Sequence, residues 1–276
     1  MLNTQFGIIP WNRKSIQQSF IKFAKIYENR PIRDNFSGMK SCHMFATWFI
    51  LSHLQPKIII ESGLWKGQST WIIEQACPSA QLHCIDINLH TLVYKSNKAT
   101  YYNHDFSTYS WEQLNPEKTI ILFDDHQNAY ERVKLMKWYG FREAIFDDNY
   151  PQKRGDCYSL KKVFMGGGYQ PPKKPKRDII GNMKDTLYKI SSGSPFIPGF
   201  VEPNDRDRFY LAKNLETYYE FPPLCQFEQT IWGDSWNKSD YPTGNALFTK
   251  SFLQKYQTIL EEAIWYTWIC YIKLKK

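Results

Sequence analysis

The chain has 276 residues, 42% of them hydrophobic and 17% aromatic, which allows a full buried core and excludes a disordered chain. Its formal charge is +8 and its pI near 9.0, but the basic residues are scattered apart from Lys173, Lys174, Lys176 and Arg177, so no nucleic-acid partner is expected. Six cysteines without a Cys-x-x-Cys pair exclude a zinc or disulfide framework, and an N-terminus without a basic start and apolar core excludes a secretory signal, so a cytoplasmic protein with reduced thiols is expected.

Ile16, Phe20, Phe23, Ile26 and Tyr27 recur at helical spacing and predict a helix over 15–30. A second helix over 41–54, rich in Met44, Phe45, Trp48, Phe49 and Leu51, stops before Pro56. Strand 57–61 then leads to helix 69–77, strand 81–87, strand 99–103, strand 119–123, helix 128–139 and strand 141–146. This alternation predicts an α/β, Rossmann-like fold: a mostly parallel sheet with helices on both faces, plus helical N-terminal and mixed C-terminal additions.

The N-terminal helices occupy 1–56 and the cofactor-binding core 57–151. Residues 152–204 read as an insertion or lid, with Gly166-Gly-Gly168, the proline-lysine run and one helix near 182–190. Residues 205–276 complete the domain, with a helix over 207–219, strand-like pieces at 225–232 and 245–249, and a final helix from about 251. The apolar run 263–272 is too short for a membrane span, which needs roughly 20 residues, and reads as a packing helix or strand.

The densest chemistry lies in Ile58-Ile-Ile-Glu61-Ser-Gly63-Leu-Trp-Lys-Gly67-Gln-Ser69-Thr70. An apolar strand ends in a carboxylate and passes through two glycines into a helix, the pattern of a nucleotide-cofactor loop. Asp86 closes the next strand, about 20 residues beyond the loop, where a ribose hydroxyl pair would be held. Two acidic clusters, Asp124-Asp125-His126 and Asp147-Asp148-Asn149, end the strands 119–123 and 141–146. A parallel sheet brings them to the edge that carries the glycine loop, and a hard divalent cation such as Mg²⁺ would relieve the repulsion among their carboxylates.

The order Glu61-x-Gly63-x-x-x-Gly67-x-Ser69-Thr70, Asp86, His104-Asp105-Phe-Ser107, Phe123-Asp-Asp-His126 and Phe146-Asp-Asp-Asn-Tyr150 resembles the class I S-adenosylmethionine-dependent methyltransferases. The branch it is most similar to contains metal-dependent sugar O-methyltransferases and cephalosporin-hydroxylase-like proteins. The resemblance spans roughly residues 38–151. It implies that Glu61, Gly63, Gly67, Ser69 and Thr70 border S-adenosylmethionine, that Asp86 binds its ribose and that Asp105 lies near its adenine. It also implies that Asp124 or Asp125, with Asp147 and Asp148, coordinates Mg²⁺, and that one of these aspartates or His126 is the base. The family's Asp-Gly-Asp-His is one residue shorter here, and nothing after Tyr150 matches.

The expected activity is O-methylation of a sugar or other small molecule, the partner being a small-molecule or glycan acceptor, with homo-oligomer formation left open. A metal-dependent glycosyltransferase using a nucleotide sugar, and a non-catalytic binding protein on the same fold, are the alternatives.

Overall fold

The computed structural model describes residues 5–169, 201–235 and 241–276. The first helix, α1 (Arg13–Tyr27), follows a short edge strand, β1 (Gln5–Phe6), and starts where Asn12 and Ser15 cap each other reciprocally. Next, α2 (Ser41–Leu54) is buried almost all round over its first three turns. Such a helix needs cover on every side, and α1 lies between it and solvent.

The alternation then runs β2 (Ile58–Ser62), α3 (Gln68–Ala76), β3 (Gln81–Ile85), β4 (Ala99–Tyr102), β5 (Thr119–Phe123), α4 (Ala129–Trp138) and β6 (Glu143–Phe146). The rest of the described chain supplies α5 (Leu160–Phe164), α6 (Asp205–Asn214), β7 (Leu215–Glu220), α7 (Lys250–Leu253), α8 (Gln257–Glu262) and β8 (Cys270–Leu274).

These strands form one sheet in the order β1-β7-β8-β6-β5-β2-β3-β4. The five strands from β2 to β6 are mutually parallel, while β8 runs antiparallel between β6 and β7. Period-2 alternation sorts the strand side chains onto two faces. Ile59, Ile120, Leu122 and Ile145 pack with α1, α2 and α3, and Ile60, Ile121, Phe123 and Phe146 pack with α4, α5 and Leu211 of α6. The Rossmann-like α/β architecture read from the sequence is therefore the observed one.

Three expectations change. The helix expected over 207–219 stops at Asn214, and the chain passes directly into β7. The pieces at 225–232 and 245–249 are not strands; 225–232 contributes only an isolated bridge, Gln229 to Ser235. The final helix is two short helices followed by β8. Residues 170–200, which carry the proline-lysine run and the helix expected at 182–190, lie outside the described residues. On either side of them Tyr169 and Val201 pair in an antiparallel bridge, each N–H donating to the other's carbonyl at 2.8 Å.

Candidate active site

From β2 the chain steps outward to β3 and β4, then returns to lay β5 and β6 on the other side of β2. The strand order therefore reverses between β2 and β5, and ligands of open α/β sheets sit in the crevice beyond such a point. In register, Ser62 faces Phe123 and Phe123 faces Phe146, so Gly63, Asp124 and Asp147 leave the sheet side by side. A cavity of ≈ 240 Å³ opens there, lined by Gly63, Leu64, Trp65, Asp86, Asp105 and residues 124–127. A second cavity of ≈ 390 Å³ adjoins it and shares Ser37, Gly38, Asp124 and His126 with the first.

Backbone geometry explains the glycines. Gly63 has φ +95° and Gly67 φ +89°, a region that strains residues with a Cβ. A Cβ on Gly63 would sit 2.0 Å from the carbonyl oxygen of Asp124, and one on Gly67 2.2 Å from that of Tyr94. Both glycines are thus required by the protein's own close-packed turns. Three non-glycine residues lining the first cavity, Ser37, Trp65 and His126, also have positive φ, between 49° and 58°. Strained backbone of this kind collects at functional sites.

Asp86 lies at the cavity and gathers the loop. Its Oδ2 accepts from the N–H groups of Leu64 (2.9 Å) and Trp65 (3.1 Å), and its Oδ1 from that of Asn88 (2.8 Å). Glu61 sits one step deeper, fully buried and away from both cavities. Thr70 donates to its Oε2 at 2.6 Å, Ser69 also bonds it, and burial pushes its carboxyl up to about 7. Glu61, Ser69 and Thr70 therefore tie α3 to β2 and do not open onto the crevice.

The structure gathers Asp124, His126 and Asp148, whose ligand atoms all lie within 4.8 Å of one another. Nδ1 of His126 is 3.1 Å from Asp148 Oδ2 and 2.9 Å from Asp156 Oδ1. The negative charge of Asp148, aided by Asp156, holds this imidazole protonated well above its usual range, against burial. Burial and the adjacent Asp147 and Asp148 raise the Asp124 carboxyl strongly, and Asp124 shares a hydrogen bond with Asp147. Asp147 is also raised, by burial and by Asp148. Its Oδ1 accepts from Nδ1 of His43 on α2 at 2.7 Å. The backbone N–H of Thr267 donates to His43 Nε2 at 2.9 Å, which leaves the imidazole proton on Nδ1. Burial lowers this histidine to about 4, so it is neutral.

Asp125 turns away from this group. Its Oδ2 accepts from Ser62 Oγ (2.7 Å) and from Arg132 Nε (3.0 Å). The same guanidinium grips Asp105 with two further bonds of 3.0 and 2.6 Å. Burial works against ionisation of Asp105, but the hydrogen bonds and charge of Arg132, with Ser107, bring it below the usual carboxylate range. Asp105 and Asp125 thus border the first cavity as halves of a clamp around a fully buried arginine. In the sequence, Arg132 and His43 look like ordinary helix residues; only their burial, which needs the fold, marks them. Asn149, read with the acidic cluster, bonds the Tyr218 hydroxyl and the Lys161 backbone N–H and joins β6 to β7 and α5.

No protein-family model matches the chain, and a search of curated proteins finds no match. Among solved structures it is similar to the plantazolicin methyltransferase BpumL in complex with a monoazolic desmethyl analogue and SAH, at 16% identity over 96% of this chain and 95% of that one, TM-score 0.40. It is also similar to an SAH-bound methyltransferase of Podospora anserina, PaMTH1, at 12% identity over 67% of this chain and 86% of that one, TM-score 0.39. A third, the apo structure of CmcI-N160, shares 16% identity over 58% of this chain and 70% of that one, TM-score 0.34.

Proposed function

We propose that the chain is an S-adenosylmethionine-dependent O-methyltransferase, assisted by a divalent cation such as Mg²⁺, that acts on a hydroxyl group of a small molecule. The observation that carries this reading is the junction of two cavities at Asp124 and His126, one reaching the Asp86 loop and the other the end of β6. Group transfer between two bound molecules requires such a junction, because donor and acceptor must meet in line.

The residues suit the cofactor. Asp86 spends three acceptor positions on backbone N–H groups and, with about four lone-pair sites on a carboxylate, keeps capacity for a ribose hydroxyl. Leu64 and Trp65 border the same cavity. The donor set of Asp124, His126 and Asp148, two carboxylates and an imidazole, suits a divalent cation, whose entry would displace the imidazole proton. When bound, the sulfonium supplies the methyl group and the cation lowers the pKa of a hydroxyl it contacts.

The chain's own part is alignment and proton removal. Asp124, common to both cavities, is placed to take the proton that the acceptor hydroxyl loses on methylation. Asp147 and His43 support Asp124 from behind, and the Arg132 clamp fixes the loop that carries it.

S-adenosylhomocysteine at 100 times its Kd should stabilise the protein by about 2.7 kcal/mol, whereas a nucleoside diphosphate should add nothing to the melting temperature reached with Mn²⁺ alone. Asp86→Ala should weaken S-adenosylhomocysteine binding by about 1.5–3 kcal/mol for the lost charged hydrogen bond, read by calorimetry. Unchanged affinity in a folded Asp86→Ala protein would remove the ribose assignment. Chelation of divalent cations should stop methyl transfer and spare S-adenosylhomocysteine binding; full activity in chelator would exclude the cation.

A further inference from the structure

The second cavity has an uneven chemistry. Its polar groups lie on the floor, and most already have partners: Lys40 Nζ donates to the Asn35 carbonyl at 2.5 Å, both nitrogens of His43 are engaged, and Thr267 Oγ1 donates to Asp148 Oδ1 at 3.1 Å. The tyrosine on its wall, Tyr150, has its hydroxyl hydrogen-bonded to Asp148. Around the floor stand Phe36, Met39, Tyr150, Ile231 and Trp265. Two of these are conspicuous because they are large and open to solvent, Phe36 at 72% and Trp265 at 52% exposure. Aromatic side chains exposed at the rim of a cavity with a polar floor mark a surface waiting for apolar cover.

A sugar carries hydroxyls round its whole ring, and each one buried without a partner is penalised. These walls present apolar side chains to such a ring, while Asp124, His126 and Asp148 converge at one polar end of the cavity. We propose that the acceptor is an alcohol or phenol with an apolar body, whose hydroxyl reaches Asp124 and Asp148 while its body packs between Phe36, Tyr150, Ile231 and Trp265. The proposal rests on the methyltransferase reading and narrows its acceptor from hydroxylated molecules in general to those with a single polar end.

The experiment begins with a titration of S-adenosylhomocysteine into the wild-type protein. Failure to bind removes the methyltransferase reading, and the acceptor class with it. On the S-adenosylhomocysteine-loaded protein, saturation-transfer NMR is then run with 2-naphthol and with methyl α-glucoside. Transfer to naphthol and none to the glucoside is expected. Phe36→Ala and Trp265→Ala should each weaken naphthol binding about tenfold, the loss typical of an aromatic anchor. Both residues are exposed, so their truncation should leave the fold intact, with unchanged S-adenosylhomocysteine affinity as the control. Three results would overturn the acceptor class while leaving the cofactor reading standing: glucoside binding as tight as naphthol, no binding of naphthol, or naphthol binding indifferent to both truncations. Should either single variant lose S-adenosylhomocysteine binding, the other decides.

Discussion

At the scale of single residues, Glu61 sits at the end of β2 with its side chain turned into the protein. Its place at the end of β2 suggests contact with a cofactor, yet its carboxyl is closed off by Thr70 and Cys84, and its Oε1 has no hydrogen-bond partner. The folded carboxyl titrates near 7 against 4.5 ordinarily. A raised acid is neutral when folded while the unfolded chain has already ionised, so this group lowers stability as pH climbs from 4.5 through 7. Glu61→Gln, which mimics the protonated form, should therefore be more stable than wild type in urea at pH 8 and close to it at pH 4. Equal difference at both pH values would show that the fold does not raise the Glu61 carboxyl.

At the scale of elements, the carboxyl edge of the sheet is held by side chains from several segments. Arg132 of α4 reaches Asp105 after β4 and Asp125 after β5, and Asp125 in turn receives Ser62 of β2. Removing one partner of a buried ion network typically costs about 3–5 kcal/mol because the remaining charges are left unpaired. Arg132→Met should lose that much stability by chemical denaturation and should also loosen Asp124 and His126. A loss below about 1 kcal/mol would show that water reaches the clamp. The parallel half of the sheet was legible in the sequence because apolar runs, glycines and acids punctuate it in order. The direction in which each acid points was not, since Asp124 and Asp125 are neighbours on a loop, and a partner seven residues further on in α4 settles which one faces the crevice.

At the scale of the whole molecule, the C-terminal third was the hardest to read. No glycine or proline separates α6 from β7, so the helix expected there ran on into the strand, and the apolar run at 263–272 suited helix and strand equally. What commits these residues to the sheet is long-range. Lys161 of α5, fully buried, donates to both carboxylate oxygens of Glu220 in β7 (2.7 and 2.8 Å) and to the carbonyl of Pro242 (2.7 Å). Lys161→Met should cost about 3–5 kcal/mol, and pairing it with Glu220→Gln should recover part of that loss, so the two changes combine to less than their sum. Strict additivity in a double-mutant cycle would show the pair to be uncoupled.

The place of β8 in the sheet also bears on the order of assembly during synthesis. Of the eight strands among the described residues it is the last to leave the ribosome, yet it lies between β6 and β7 and hydrogen-bonds to both. Until residues 270–274 emerge, the nascent chain carries β6 with one open edge and β7 with no route into the sheet, a pair of exposed templates for mispairing. Thr267, which fixes the His43 tautomer behind Asp147, arrives with the same stretch. The acidic cluster therefore acquires its final support only when the sheet is closed, so a partly made chain cannot present a finished site.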